Sequence, residues 1–222
     1  YRATRRRIER CGVFPLASAP RVGRQFAECG TVIAREPARA LEATHGGDCG
    51  HAVTALPQKL TRPVERRVML HRHFGFHEVD VNPLVEDLLR MVPGLTLVES
   101  GTAAPGHMCS ALSRVPAAMK DVTRGLCHEA VTRGADTVAT VFHSCQRLLC
   151  ALEGSEPFKV VNYVSLLTEA MGLTFADDYK DWKLAGTEAE ITARVGEARI
   201  AAMGEKLFKE TILPELAKRP IK

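Results

Sequence analysis

The chain has 222 residues, 45% hydrophobic and 25% charged, with a formal net charge of +4 and a pI near 8.7, a globular composition with length enough for a sizeable core. No apolar run approaches the roughly 18–20 residues of a membrane-spanning helix, and no signal-peptide pattern is present. Seven cysteines, an odd number in a chain too long to need disulfide staples, predict a reducing, cytoplasmic setting with cysteines as core fillers or metal ligands.

In chain order, residues 1–12 predict a basic amphipathic helix carrying Arg2, Arg5, Arg6, Arg7 and Arg10. Such a face suits a partner subunit. Aromatic residues make up only 5% of the chain, which argues against a base-stacking nucleic-acid surface. Residues 13–24, with Pro15, Pro20 and Gly23, read as irregular. A short helix is predicted from Glu36 to Leu41 and another from His51 to Leu60, followed by a linker at Thr61-Arg62-Pro63.

From residue 65 the pattern sharpens. Arg67 to Leu70 reads as a buried strand. Asn82-Pro83 predicts a helix start, with Asn as N-cap and Pro at the first helical position. That helix runs to Val92 and is stopped by Pro93-Gly94. Leu95 to Glu99 is a second strand. Pro116 opens a long helix closed by Gly134. Thr137 to Phe142 is a third strand, Cys145 to Leu152 a helix, Lys159 to Val161 a brief strand, and Val164 to Met171 a helix closed by Gly172. From Thr174 onward Ile191, Val195, Ile200, Met203, Leu207 and Phe208 recur at helical spacing, a helix bent or ended at Pro214. Alternating strands and helices predict an α/β fold, a parallel sheet flanked by helices with a helical C-terminal tail.

Three short stretches carry the chemistry: His71-Arg-His-Phe-Gly-Phe-His77, Gly106-His-Met-Cys-Ser110 and Phe142-His-Ser-Cys145. Each follows a predicted strand, and function in such sheets collects at the carboxyl ends of strands. Residues i and i+2 of an extended segment point the same way, so His71/His73, His107/Cys109 and His143/Cys145 are each candidate ligand pairs. Imidazole and thiolate suit zinc and iron. The preferred set is His73, His107, Cys109 and Cys145, with His71, His77 and His143 in reserve or in a supporting shell. The alternative is that the histidines hydrogen-bond backbone at strand ends and the cysteines fill the core. Cys11, Cys49, Cys127 and Cys150 read as structural. Walker loops, dinucleotide fingerprints and nucleophile elbows are absent, and Cys145 with His143 makes a poor nucleophile pair.

From Val68 to Gly172 the chain resembles the cysteine-rich CCG domain. That domain occurs in the B subunit of heterodisulfide reductase and in the iron–sulfur subunits of glycolate oxidase, lactate-utilisation enzymes and anaerobic glycerol-3-phosphate dehydrogenase. The family pattern is His-Asp-Pro-Cys, then Cys-Cys-Gly, then Cys-Pro-x-Cys. Here His71-Arg-His-Phe74, Met108-Cys109-Ser110 and Phe142-His-Ser-Cys145 stand in those places. Asn82-Pro-Leu-Val-Glu-Asp-Leu-Leu89, Val92-Pro-Gly-Leu95 and Arg133-Gly-Ala-Asp136 also look familial. An internal echo is visible: Phe26-Ala-Glu-Cys29 against Phe142-His-Ser-Cys145, and His51 to Leu56 against Asn162 to Leu167. The resemblance therefore implies a pseudo-duplicated architecture. Residues 1–62 would be a remnant or C-terminal part of a first copy whose front is absent, 63–173 a second copy, and 174–222 a helical extension.

In that family the cysteines of one copy hold an iron–sulfur cluster. Of the five cysteine positions only Cys109 and Cys145 keep a cysteine here, while Phe74, Met108 and Phe142 occupy the others. An ordinary four-iron cluster takes four ligands. The resemblance thus implies a degenerate site, either rebuilt with histidine to hold zinc or iron, or kept as a scaffold without cofactor. The implied role is an electron-transfer or accessory subunit of an oxidoreductase complex, with a flavoprotein or ferredoxin-type partner. Two rival readings are a cofactor-free structural subunit and a zinc-dependent hydrolase using Glu78, Asp80 or Glu99 as base.

Overall fold

The computed structural model describes residues 56–73, 80–101 and 109–219. The basic N-terminal helix, the Phe26–Cys29 echo, and Cys11, Cys49, His77 and His107 lie outside these residues.

Four strands form one all-parallel sheet: β1 (Arg66–His71), β2 (Leu95–Val98), β3 (Thr137–Thr140) and β4 (Lys159–Asn162), in the order β2-β1-β3-β4. Helices flank it, so the α/β expectation holds. Between the strands lie α1 (Asn82–Arg90), α2 (Cys109–Leu112), α3 (Pro116–Thr132) and α4 (His143–Leu149), and α5 (Tyr163–Ala170) follows β4. The centre of the sheet is apolar on both faces, as a parallel sheet with two helical layers requires. In β1, Val68 and Met69 are fully buried and Leu70 nearly so.

Alternation along the strands sorts these residues between the faces. Met69, Val138 and Val160 lie side by side in register. They share one core with Leu112 of α2, Met119, Leu126 and Ala130 of α3, and Leu149 of α4. The opposite parity, Val68 and Leu70, is buried on the side of α1 and α5, which pack against each other. Helix α3 presents Met119, Thr123, Leu126 and Ala130 inward at helical spacing. It closes at Gly134 (φ 65°), with the Ala135 amide reaching back to the Ala130 carbonyl as in a Schellman turn.

Three sequence expectations shift by small amounts with identifiable causes. Strand β3 ends at Thr140 rather than Phe142, because α4 begins at His143 rather than Cys145. Asn82 does not cap α1. Val81 occupies that position, and the Asn82 side chain is used elsewhere. The tail is a run of short helices, not one long helix: α6 (Asp178–Leu184), α7 (Glu188–Val195), α8 (Glu197–Met203) and α9 (Glu205–Leu207). Gly196 and Gly204, at φ 79° and 91°, interrupt the run where an L side chain would be strained. After α9 the helix widens to π pitch over Phe208–Ile212 and then becomes α10 (Leu213–Ala217). Pro214 has no N–H to donate and its ring crowds the preceding turn, and the wider pitch accommodates both. Ile191, Val195, Phe208 and Leu216 form a small core of their own.

This extension is fastened to the sheet domain by buried polar contacts. Glu153, in the 3₁₀ turn Cys150–Gly154, has a side chain only 3% exposed. It accepts from Lys180 Nζ at 3.0 Å and from the Val160 amide at 2.7 Å, and pairs with Lys159 at 3.4 Å. Within the extension itself, buried Lys183 of α6 donates to the Glu215 carbonyl of α10 at 2.8 Å. No helix among the described residues is long and apolar enough to cross a membrane.

Candidate metal centre

The strand order fixes where a ligand can sit. From β1 the chain moves outward to β2, then returns past β1 to form β3, and continues outward to β4. The direction of winding reverses between β1 and β3, and the connections leaving the two strands diverge there. Such a switch point leaves a crevice at the carboxyl ends of the strands. His71 is the last residue of β1, Cys109 the first of α2, and Cys145 the third of α4, which follows β3. Three connections therefore each deliver one ligand-type side chain to the same crevice.

The floor of the crevice is read directly from the register. Two residues beyond the apolar row Met69–Val138–Val160, on the same face, comes His71–Thr140–Asn162. This row is polar and buried. Thr140 Oγ1 donates to the Val161 carbonyl at 3.3 Å. Asn162 Nδ2 donates to the Val141 carbonyl at 3.3 Å, while its Oδ1 accepts from the Val164 amide at 3.1 Å and caps α5. Two members of the row are thus occupied by backbone, and His71 faces the cysteines.

His71 Nε2 lies 3.2 Å from Cys109 Sγ. The ligand atoms of His71, Cys109 and Cys145 all fall within 4.8 Å of one another, and all three residues are buried. The Cys109 thiol hydrogen-bonds to Cys145, and this bond pulls the Cys145 thiol down to about 4 against the opposing effect of burial, with His71 adding to the pull. The same bond, together with burial, pushes Cys109 up. The two sulfurs are thus hydrogen-bonded through a thiol proton beside an imidazole. A metal ion takes the place of such a proton when thiols become thiolate ligands. Two sulfurs and a nitrogen around zinc at its usual bond lengths are spaced about 3.3–3.8 Å apart, so the set fits a small ion with modest adjustment.

The remaining candidates separate cleanly. His73 is buried two residues beyond His71, its ring centroid 4.1 Å from that of Phe142. Burial lowers its pKa, with Cys145 acting in the opposite sense and His71 adding to the lowering. It is not a member of the three-residue group. His143 opens α4 and is exposed. In a helix, residues two apart point to nearly opposite sides, so burying Cys145 turns His143 outward. His107 and His77 lie outside the described residues. The group contains no carboxylate: Asp80 is engaged by Asn82, and Glu99 is exposed.

Asn82 is a site residue that the sequence did not reveal. Its buried carboxamide accepts from the His73 amide and donates to the His73 carbonyl, both at 2.7 Å. This is the pairing of one strand with another, made by a side chain, and it fixes the chain as it leaves β1. Arg72 adds an ion pair to Glu86 on α1 at 3.3 Å. On the other side of the sheet, Ser100 Oγ donates to Glu129 at 3.1 Å, and the Gly101 amide also donates to Glu129, holding the exit of β2 to α3.

Compared with known protein families, with characterised proteins and with solved structures, the chain matches none. The site must be read from its own geometry and from the residues themselves.

Proposed function

We propose that the protein holds a single metal ion of the zinc or iron class through His71, Cys109 and Cys145. It does so as a CCG-like, heterodisulfide-reductase-type subunit of a redox complex, in an electron-transfer or accessory role. The observation that carries the metal reading is the meeting of these three side chains at the sheet's switch point. The family reading is supported by where they come from. Each lies in, or at the end of, one of the three segments standing at the family's three cysteine motifs. A set of two sulfurs and one nitrogen falls short of the four ligands of a four-iron cluster, which favours a single ion. Zinc, having no redox chemistry, suits an accessory subunit, and iron suits electron transfer. That role implies a flavoprotein or ferredoxin-type partner.

A cofactor-free structural subunit is the second reading, favoured by one observation: the two sulfurs and the imidazole also hydrogen-bond one another. Elemental analysis with visible absorption on anaerobically purified protein separates the two. The expected result is one zinc or iron per chain, lost in the Cys109→Ser/Cys145→Ser double variant and kept in Glu153→Gln. Protein free of metal, with a melting temperature indifferent to added zinc, sinks the metal reading. Broad iron–sulfur absorption replaces the single ion with a cluster.

A further inference from the structure

We infer that the centre is gated by oxidation: peroxide joins Cys109 to Cys145 as a disulfide, and a metal held by these sulfurs is released. The inference deepens the metal reading and rests on it for the release step, whereas the disulfide needs only the two sulfurs. Three observations carry it. First, the sulfurs lie within 4.8 Å, so reaching a disulfide bond of about 2.05 Å requires less than about 3 Å of movement. One change of χ1 rotamer covers that distance. Second, the sulfurs sit on different elements, α2 and α4, which pack against each other. A bond between them would join α2 to α4 and involve no residue of the sheet. Third, Cys109 is 1% and Cys145 3% exposed. Such burial shuts out bulky disulfides and leaves an oxidant little larger than water, which is the peroxide class.

The other described cysteines lack this arrangement. Cys150 is buried too, but its sulfur faces the Arg147 carbonyl at 3.7 Å, and Cys127 lies half-buried on α3. In the metal-free protein one thiol is oxidised by hydrogen peroxide to a sulfenic acid, releasing one water. The second thiol then attacks that sulfur, the S–O bond breaks, and a second water leaves. Two thiols lose two electrons and two protons, and one peroxide becomes two waters. In the metal-bound form the sulfurs enter as thiolates, the two protons come from solvent, and the metal departs as a dication.

The test uses the full chain, reduced and then freed of metal with a chelator, treated with one equivalent of hydrogen peroxide and digested without reductant. Mass spectrometry should find the Cys109 and Cys145 peptides linked, about 2 Da lighter than their sum, and dithiothreitol should separate them. In protein loaded with zinc, a chromophoric chelator should register zinc release in step with the linkage. Cys109→Ser should leave Cys145 as a sulfenic acid, trapped by dimedone added together with denaturant after the peroxide, and Cys145→Ser should do the same for Cys109. Peroxide that leaves both thiols intact, or links either to another cysteine, overturns the inference, as does linkage with zinc retained. If the reduced protein takes up no zinc, the metal reading fails separately and the metal-free arm still decides the disulfide.

Discussion

Among the described residues, two sets of buried polar groups are treated in opposite ways. At the fastening of the extension, Glu153 is matched on every side, by Lys180, Lys159 and the Val160 amide. Within the extension Lys183 likewise has the Glu215 carbonyl. Those groups are consumed by each other, and nothing is left for a ligand. At the switch point Thr140 and Asn162 are likewise occupied by backbone, but His71, Cys109 and Cys145 bring their ligand atoms within 4.8 Å of one another. Buried polar groups with matched partners make architecture, whereas converging groups with ligand capacity to spare make a site. The first region should therefore govern stability without touching metal, and the second should govern metal with little effect on the fold.

The largest effect expected is on metal affinity. Cys109→Ser, Cys145→Ser and His71→Ala should each weaken zinc binding by at least about a hundredfold, since a four-coordinate ion that loses one of three protein ligands loses most of its hold. Competition with a chromophoric chelator measures this. Glu153→Ala is the counter-experiment. It removes the partner of two lysines and an amide, and should cost about 2–3 kcal/mol in denaturant unfolding. That is less than a fully buried pair, because Lys159 reaches solvent. Zinc affinity should stay within about threefold. A Glu153 variant that loses zinc, or a Cys109 variant that unfolds, would erase the distinction between the regions.

These contrasts were unevenly legible in the sequence. The α/β class and its strands could be read from apolar runs such as Arg67–Leu70 and Thr137–Phe142, because the centre of a parallel sheet is apolar on both faces. The order of the strands was not legible, since β1 joins β2 and β3 by pairings that local pattern does not encode. The carboxyl-end location of the three histidine and cysteine stretches followed from alternation of strand and helix. Ranking within them did not. His73 ranked above His71, yet the two share strand parity and differ in that β1 ends at His71. Met69 and His71 share the face of α2–α4, and His73 lies past the strand's last paired residue. The Asn82 clamp was hidden for a different reason. Asn-Pro before an amphipathic run is a good N-cap signal, and a tertiary demand for His73's backbone overrode it. The glycine-broken tail was misread as one helix because Ile191, Val195, Ile200 and Met203 keep a helical period across Gly196.

Alkali offers a third test, confined to the fastening. Tyr179 packs beneath Arg147, whose guanidinium carbon is 4.9 Å from the ring centre. Burial, outweighing the pull of Arg147, raises its pKa to about 12. The folded state therefore keeps the phenol proton where the unfolded chain, titrating near about 10, gives it up. This contribution is intact below pH of about 10 and is lost as pH rises to about 12. Tyr179→Phe lacks it. Relative to wild type the variant should gain about 2 kcal/mol of stability across that window, read by urea unfolding at each pH. A difference that stays flat from pH of about 9 to 12 would mean the ring is solvated as in the unfolded chain.

The smallest effect discriminates most finely within the site. Asn82→Ala leaves His73's amide and carbonyl without their buried partner, which should cost about 1–2 kcal/mol. Because the clamp holds the exit of β1 two residues beyond His71, zinc affinity should also fall, by about tenfold, as when a supporting shell is lost. His73→Leu keeps that backbone pairing and replaces only the ring packed at a tilt against Phe142. It should change zinc affinity by less than about tenfold, an effect of the supporting shell, against the hundredfold expected of His71→Ala. If the order were reversed, with His73→Leu abolishing binding and His71→Ala mild, the ion would sit one step further out along the chain, toward Phe142. The centre would then belong to the loops above the sheet and not to the row of residues that closes it.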